Sequence, residues 1–405
     1  MSYYVRRGEV PHKRHTQFRQ PDGSLYHEEV MGIHGFAGIQ SLLYHLRPPT
    51  EIEGILSAGA DEVRFEAPGA LRHRLLLTAG LQPSGDAVGG RVPLLANADL
   101  RVSAVRPVEP MAYWYRYAHG DELIFVHEGE GVLESQFGSL RYRPHDYLVI
   151  PTGVLWRILP DGGSDQRMLV VESAGGHLEP PARYRNRHGQ FVESAPYGER
   201  DIRPPDVLET YDEQGTFEVR VKARCRVTRY FYGHHPLDVV GWDGHLWPYA
   251  FNVDDFEPIT GRVHQPPPVH QTFEGPGFVV CSFVPRLADY HPLAIPSPYN
   301  HSNVDSDEVI YYVEGNFLSR RGVEPAAFTV HPNGIPHGPH PGAYEGSIGK
   351  ERTDELAVMI DTFRPLRLTA EAAALEDESY AGRLVAGDVA QHLGVCAAER
   401  SEAKC

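Results

Sequence analysis

The chain has 405 residues, of which 41% are hydrophobic, so it is long enough for two domains with substantial cores. Its net charge of −16 argues against nucleic acid and anionic membrane as partners. No run approaches the roughly 18 apolar residues of a membrane span, and the N-terminal MSYYVRRGEV has no apolar signal region. The 40 glycines and 34 prolines favour a turn-rich β protein.

The first 50 residues form a mixed, partly basic lead-in that contains His12, Lys13, Arg14 and His15. Such a segment could bind an anion, but a solvated or subunit-facing arm is the favoured interpretation. The cysteines include no C-x-x-C pair, so we interpret them as free thiols of a cytoplasmic protein. They are Cys225, Cys281, Cys396 and Cys405.

Short alternating segments with turn signals between them predict strands from about 95 to 175 and again from about 215 to 365. A Gly-, Pro- and Arg-rich stretch separates the two regions. One helix is predicted in TAEAAALEDESYAGRLV, with Thr369 as its N-cap. The predicted organisation is a lead-in and first barrel over 1–165, a linker over 166–210, and a second barrel with the helix over 211–405.

The two β regions share a spacing pattern that indicates duplication of one unit. Glu308 is followed by six residues and Gly315, and later by Pro332-x-Gly334-x-x-His337. In the first region, Glu122 and Gly129 repeat this spacing, and Pro151-x-Gly153-x-x ends at Trp156. Since a tryptophan stands where the second region has a histidine, only the second region is predicted to bind a metal.

The candidate metal ligands are His301, Glu308 and His337. Two imidazoles and one carboxylate occupy three positions of an Fe(II) and leave the others open for substrate and O2. Alternate residues of a small barrel point inward, so ligands on separate strands can face one point. Asp305 and Asp307 are rival carboxylates, but the spacing to Gly315 selects Glu308. The neighbouring His331 and His340 are expected to support the ligands or to contact substrate.

The pattern H-x-[HN]-x4-E-x6-G followed by P-x-G-x2-H resembles the two motifs of the cupin superfamily, with Asn303 in place of the usual second histidine. The resemblance implies a mainly all-β fold: two cupin-like antiparallel β-barrel or jelly-roll domains and a C-terminal helix. The first barrel would be a degenerate, metal-free copy, and the second would be catalytic.

Further segments resemble the homogentisate 1,2-dioxygenase family, a group of two-domain cupin enzymes of tyrosine and phenylalanine breakdown. They cover roughly 95–385 and include VGWDGHLWPYAFN, PYNHSN, IPHGP, DESY and GGHLEPP. The resemblance implies that His301, Glu308 and His337 bind iron and that His264 acts as acid and base on a substrate hydroxyl. His270 is a rival for that role. Tyr299 would line the pocket.

Two departures from the family concern the substrate. Phe317 stands where the family has a tyrosine that hydrogen-bonds bound substrate, and one extra residue separates His301 from Glu308. The predicted reaction is ring cleavage of homogentisate by O2 to give 4-maleylacetoacetate. Arg286, Arg320 and Arg321 are candidates for binding the substrate carboxylate.

Three alternatives stay open at this point. The chain could cleave another para-dihydroxy aromatic, such as a gentisate- or hydroquinone-like compound. It could be a non-catalytic metal-binding bicupin, or a cupin isomerase that uses Zn or Mn, because the motif alone does not fix the metal. The expected partners are a small aromatic substrate and O2, with no nucleic acid and no membrane. The resemblance implies a homo-oligomer, either a trimer or a hexamer.

Overall fold

The structure is a computed structural model that describes residues 3–163, 165–315, 317 and 322–384. The segment before the first barrel contributes five strands: β1 Val5–Gly8, β2 His27–Gly32, β3 Gln40–His45, β4 Gly54–Ala60 and β5 Arg74–Leu77. The next nine strands form most of the first barrel: β6 Val92–Ala96, β7 Leu100–Val105, β8 Trp114–Tyr117, β9 Glu122–Glu128, β10 Gly131–Ser135, β11 Gly138–Tyr142, β12 Asp146–Ile150, β13 Leu155–Pro160 and β14 Arg167–Ser173.

Five strands connect the two barrels: β15 Ile202–Arg203, β16 Gln214–Ala223, β17 Arg226–His234, β18 Val239–Gly244 and β19 Tyr249–Asn252. The last eight are β20 Gln271–Gly275, β21 Phe278–Phe283, β22 Arg286–Leu287, β23 Asp307–Glu314, β24 Ala327–His331, β25 Arg352–Thr353, β26 Leu356–Thr362 and β27 Arg367–Leu368. The α-helices in the described ranges are α1 Ala343–Gly346 and α2 Ala370–Ala373. The 3-10 helices are His34–Phe36, Ala182–Tyr184, Glu199–Asp201, Val253–Asp255, Pro267–His270 and Tyr380–Leu384.

The fold is mainly β, as predicted, and its strands form two cupin-like barrels. The first barrel packs a seven-stranded sheet, in the order β11-β10-β13-β8-β16-β17-β4, against an eight-stranded sheet, in the order β15-β19-β12-β9-β14-β7-β6-β27. The second barrel is built on a six-stranded sheet, in the order β20-β21-β26-β23-β24-β5, with the short pair β22-β25. A four-stranded sheet, β1-β18-β3-β2, completes the fold.

The central strand β9 shows why the two barrels pack together. Its residues are buried on both faces except at the last position. Successive side chains of a strand point to opposite faces, so Glu122 faces the interior of the first barrel while Phe125 and His127 face the second. Nδ1 of His127 lies 2.6 Å from the hydroxyl of Tyr311 on β23. The eight-stranded sheet is therefore a wall shared by both barrels.

The hydrogen-bonded sheets cross the predicted domain ranges. Strand β19 pairs with β12, and β16 pairs in parallel with β8, so residues beyond 211 complete the first barrel. Strand β5 precedes the first barrel in the chain but pairs with β24 of the second. The range 166–210, predicted as a linker, contains all of β14 and β15. Long-range strand exchange of this kind leaves no local signal in a sequence.

The C-terminal helix is present but shorter than the predicted segment. Thr369 caps it as expected, because its hydroxyl accepts a hydrogen bond from the amide of Ala372 at 3.0 Å. The helix ends at Ala373 because the following residues run along β5: the amide of Leu77 donates to the carbonyl of Leu375 at 2.9 Å. Tertiary pairing thus overrides local helix propensity here.

Two of the four cysteines lie in the described ranges, and both are free thiols: Cys225 is exposed and Cys281 is buried. Cys396 and Cys405 lie outside the described residues. None of the helices in the described ranges has the length and the apolar character that crossing a bilayer requires.

Candidate metal centre

The three predicted ligands converge at one end of the second barrel. Glu308 lies near the start of β23, and its side chain points into the barrel. His301 and His337 come from loops that join in a small antiparallel bridge, in which each backbone amide donates to the other residue's carbonyl at 2.8 Å. Gly315 turns the chain after β23 with φ +96°, where a Cβ would lie 2.1 Å from a backbone oxygen.

One ligand atom from each residue lies within 4.8 Å of the others. Oε2 of Glu308 is 3.5 Å from Nε2 of His301 and 3.4 Å from Nε2 of His337. Two ligand atoms at about 2.1 Å from one ion, at right angles, would lie about 3 Å apart. Small side-chain adjustments would therefore place all three atoms on one face of a single ion.

Hydrogen bonds hold both imidazoles in the tautomer that a metal requires. Nδ1 of His301 lies 3.2 Å from the carbonyl oxygen of Tyr299, and Nδ1 of His337 lies 3.3 Å from that of Ile335. A carbonyl oxygen only accepts hydrogen bonds, so the proton of each neutral ring sits on Nδ1. The lone pair of each Nε2 then points toward Glu308, as in histidines that bind metals.

The buried polar atoms of this cluster fit a metal ion. Nε2 of His337 is buried and has no hydrogen-bond partner among the described residues. An unpartnered buried nitrogen is costly, and a metal ion would satisfy it. His301 is the most exposed of the three ligands, with 34% of its side chain accessible, so the site opens to solvent on that side.

His331 supports the carboxylate from the neighbouring strand β24. Its Nδ1 lies 2.6 Å from Oε1 of Glu308, the oxygen that faces away from the other two histidines. Burial alone would raise the pKa of Glu308, but the imidazoles of His301, His331 and His337 outweigh it and hold that pKa well below its usual range. The nearby carboxylate of Glu308 raises the pKa of His301. The carboxylate is therefore ionised and ready to bind a cation.

Two groups near the centre were not predicted from the sequence. Asp361 lies opposite Glu308 on strand β26, and burial together with the charge of Glu308 raises its pKa to about 7. Its Oδ1 accepts a hydrogen bond from Asn303 at 3.3 Å. The sequence could have indicated Asp361, because it is the one carboxylate in the otherwise apolar strand segment LAVMIDT. His73, just before β5, stacks edge-on to His331 with ring centroids 5.4 Å apart.

His264 lies beside the metal ligands, with Tyr299 between them. The ring centroids of His264 and Tyr299 are 5.1 Å apart, and those of Tyr299 and His301 are 6.1 Å apart. Nδ1 of His264 is 3.2 Å from a carboxylate oxygen of Asp289. His264, Asp289 and Tyr299 line an open cavity of about 470 Å³, whose remaining walls include His291, Leu293, Ile295 and Tyr344.

His270, the rival for His264, does not line this cavity and is buried against Phe283, with ring centroids 4.9 Å apart. Burial, with a contribution from the nearby Arg286 charge, lowers the pKa of His270 to about 3. Its ring is therefore neutral and enclosed, while His264 is half exposed at the cavity.

The other predicted contacts lie further from the ligands. Phe317 is buried against Tyr312, with ring centroids 4.7 Å apart, in an apolar cluster on the face of β23 that carries Glu308. His340 is buried beside Tyr380, with ring centroids 5.7 Å apart. Arg286 is partly buried in β22. Arg320 and Arg321 lie outside the described residues.

The equivalent position in the first barrel is filled by protein groups. Nε1 of Trp156 lies 3.2 Å from Oε2 of Glu122, and Nη1 of Arg91 lies 2.7 Å from Oε1. Tryptophan thus replaces the last histidine, and a guanidinium supplies the positive charge that a metal would bring. Within the described residues, the His/Cys/Asp/Glu cluster suited to a metal is the one in the second barrel.

Comparison with known proteins finds one family model and one relative that spans most of the chain. Residues 95–253 match the family model described as homogentisate 1,2-dioxygenase N-terminal. The chain is 41% identical over 383 residues to a protein of Saccharolobus solfataricus named "Putative dioxygenase SSO1533", covering 94% of this chain and 98% of that protein. A cupin 2 conserved barrel domain protein from Leptotrichia buccalis aligns at TM-score 0.33 and 10% identity, over 72% of this chain and 96% of its own.

The fold and the site define a two-barrel cupin protein with a candidate His/Glu metal centre in its second barrel. The chain belongs to the homogentisate 1,2-dioxygenase-like family of cupin proteins, and it is a dioxygenase of that family.

Proposed function

We propose that the chain is an Fe(II)-dependent, extradiol-type dioxygenase that cleaves the ring of homogentisate with O2 to give 4-maleylacetoacetate, a step of tyrosine and phenylalanine breakdown. The observation that supports it best is the cluster of His301, Glu308 and His337 around one point beside an open cavity. Two histidines and one carboxylate with open positions are the ligand set of non-haem Fe(II) oxygenases.

Fe(II) held by these three residues would supply a centre on which an aromatic diol and O2 are held together while the ring gives electron density to O2. The protein's own side chains would position the ion and the substrate. Glu308 and the two imidazoles orient the centre, and His331 fixes the second oxygen of Glu308. The partly exposed side chain of His301 leaves the centre open to solvent on that side.

His264 is placed to handle the substrate proton. Asp289 accepts a hydrogen bond from Nδ1 of His264, so Nε2 of the neutral ring carries a lone pair. That nitrogen can accept the proton of a phenolic hydroxyl bound in the cavity that His264 and Tyr299 line, and return it later in the reaction. Tyr299 presents its ring between His264 and His301 and would bound the aromatic substrate.

The experiment that tests this function measures oxygen uptake by Fe(II)-loaded protein. With homogentisate, we expect about one O2 consumed per substrate and the absorbance of 4-maleylacetoacetate to appear. Absence of oxygen uptake with homogentisate under reducing conditions would overturn the substrate assignment.

A second candidate substrate class is another para-dihydroxy aromatic of the gentisate or hydroquinone type. Phe317 favours it, because this side chain cannot donate the hydrogen bond that a tyrosine gives. Its burial against Tyr312 adds an apolar wall to the barrel interior. The same oxygen assay over a panel of such diols, compared by kcat/KM, separates the two classes.

We also propose that the protein works as a cytoplasmic homo-oligomer, a trimer or a hexamer, with the small aromatic compound and O2 as its partners. The resemblance to two-domain cupin enzymes supports this assembly. Analytical ultracentrifugation of the full chain tests it, and a monomer at micromolar concentration would contradict it.

A further inference from the structure

An arginine lines the cavity beside the metal centre, and the proposed mechanism does not yet use it. Arg262 lies two residues before His264, and both side chains line this cavity. The side chain of Arg262 is exposed, and within the described residues it makes no hydrogen bond or ion pair. The guanidinium therefore keeps all of its donors for a molecule that enters the cavity.

The backbone on both sides of Arg262 is held by Asp289. The amide of Gly261 donates to Oδ1 of Asp289 at 3.4 Å, and Oδ2 of the same carboxylate lies 3.2 Å from Nδ1 of His264. The carbonyl of Gly261 also accepts a hydrogen bond from the amide of Tyr290 at 3.1 Å. Both oxygens of Asp289 are thus engaged by the residues that flank Arg262. The base of the Arg262 side chain is fixed at the cavity, while its charged end is open to a ligand.

The rest of the cavity suits an aromatic ring. Tyr299, Tyr344, Leu293 and Ile295 provide aromatic and aliphatic surface. The volume of about 470 Å³ lies within the range of about 300–1,000 Å³ that sites for small molecules occupy. The walls therefore combine an apolar surface for a ring, a proton acceptor in His264, and a cation in Arg262.

One small molecule can contact both His264 and Arg262. Their Cα atoms are separated by two peptide units, which span at most about 7 Å. A hydroxyl and a carboxylate on opposite sides of one aromatic ring are separated by a similar distance. A ring whose hydroxyl contacts His264 would therefore hold its carboxylate within reach of the guanidinium. Arginine binds carboxylates with two parallel hydrogen bonds, which also fix the orientation of the bound group.

Arg286, a candidate for the same role on its position in the sequence, is less suited to it. It is partly buried, it does not line the cavity, and its Nη1 donates to the carbonyl of Leu287 at 3.4 Å. Burial lowers the pKa of Arg286, and the nearby charges of Asp289 and Glu355 oppose that shift. The positive charge of Arg286 is thus already compensated within the protein.

We propose that Arg262 binds the substrate carboxylate, and that the enzyme thereby selects para-dihydroxy aromatics with an acidic side chain over neutral ones. This selection favours homogentisate and gentisate-like acids over hydroquinone-like compounds. Arg262 is a specificity-determining residue of the reaction. Its role in turnover rests on the proposed function, whereas its preference for an aromatic acid is measurable by binding alone.

The test is calorimetric titration of the Fe(II)-loaded full chain without oxygen, so that ligands bind but do not react. Two matched pairs compare an acid with its neutral alcohol: homogentisate with homogentisyl alcohol, and gentisate with gentisyl alcohol. We expect the parent to bind at least one acid about 10- to 100-fold more tightly than its alcohol. Arg262→Gln should lose this preference. Arg262→Lys, which keeps the charge but not the planar fork, should recover part of it.

Two controls accompany these variants. Arg187→Gln removes an exposed arginine that does not line the cavity and should bind all four ligands as the parent does. The affinity for each alcohol should be the same in the parent and in Arg262→Gln, which shows that the cavity is intact. The absence of an acid preference in both pairs, including the absence of binding, would overturn the proposal. An acid preference that persists unchanged in Arg262→Gln would also overturn it.

Oxygen uptake separates a failure of this role from a failure of the proposed function. Where the parent consumes oxygen with an acid, Arg262→Gln should raise KM for that acid about 10- to 100-fold and change kcat little. No oxygen uptake by the parent with either acid, together with an acid preference that depends on Arg262, would contradict the proposed reaction and leave the binding role of Arg262 in place.

Discussion

Trp156 and Glu122 face each other inside the first barrel, with Nε1 of the indole 3.2 Å from Oε2 of the carboxylate. In the second barrel, His337 and Glu308 hold the equivalent positions, with their nearest atoms 3.4 Å apart. In the first barrel, the carboxylate of this pair is therefore already bound by protein groups. In the second barrel, the carboxylate and the imidazole are positioned to bind a metal ion. Arg91 supplies the positive charge in the first barrel.

Replacing Arg91 by methionine should destabilise the protein strongly. The change leaves Glu122, which is fully buried, with its charge unpaired. Removing one partner of a buried ion pair typically costs about 3–5 kcal/mol in the free energy of unfolding. The matched control is Arg141→Met, which breaks an exposed pair with Asp161 and should cost at most about 1 kcal/mol. Urea unfolding measures both, and equal losses would contradict the role given to Arg91.

Replacing His331 should weaken metal binding without removing a ligand. His331→Leu frees Oε1 of Glu308 from its hydrogen bond and should weaken metal affinity about 10- to 100-fold. His331→Asn, whose amide can take the place of Nδ1, should recover part of that loss. Metal titration of the apo protein measures both affinities. An unchanged affinity in the leucine variant would show that Glu308 is positioned without His331.

Changes at His264 should lower the rate and leave the metal in place. His264→Ala removes the proposed proton acceptor and should lower kcat about 10²- to 10⁴-fold. Asp289→Asn, which weakens the hold on Nδ1 of His264, should give a smaller loss with an altered pH profile. His291→Ala, in the same cavity, is the control and should cost much less. Steady-state oxygen uptake with parallel metal analysis gives the result, and an unchanged rate in His264→Ala would exclude that residue as the base.

Stability should fall in mildly alkaline solution because of His45. Burial opposes the charge on this imidazole, but hydrogen bonds to Asp238 at 2.7 Å and Glu29 at 3.2 Å outweigh it and raise the pKa of His45 to about 9. The stabilisation is complete below the ordinary pKa of about 6.5 and is lost as pH rises through 9. Its size is on the order of 3 kcal/mol.

The measurement is the unfolding temperature between pH 6 and 10, for the parent and for His45→Gln. The unfolding temperature of the parent should fall over that pH interval. The unfolding temperature of the variant should be lower at pH 6 and should change less with pH. His15→Gln, which alters an almost fully exposed histidine, should follow the parent. A parent profile that is flat up to pH 10 would contradict the account of His45.

The sequence was sufficient to predict the parts of the site that follow from spacing. Glu308 and His337 were predicted to lie together because a glycine at positive φ and a P-x-G turn fix where a strand and a loop meet, and the structure brings them together. His301 was predicted from its spacing to Glu308, and it lies in the same cluster. The mainly β fold and the capping role of Thr369 also follow from local patterns.

Residues that reach the site through tertiary pairing could not be predicted. Strand β5 brings His73 to the second barrel from a segment more than 200 residues earlier, and no spacing rule connects them. Arg91 reaches Glu122 across the first barrel in the same manner. The helix after Thr369 was predicted too long, because residues 375–377 pair with β5 and interrupt it.

The central claim is that His301, Glu308 and His337 hold one iron. It is tested most directly by the metal content of protein that is purified without oxygen, loaded with Fe(II) and desalted. The account predicts about one iron per chain in the parent and almost none in His337→Ala, with His188→Ala, at an exposed loop position, equal to the parent. Full iron content in the folded His337→Ala variant would contradict the account.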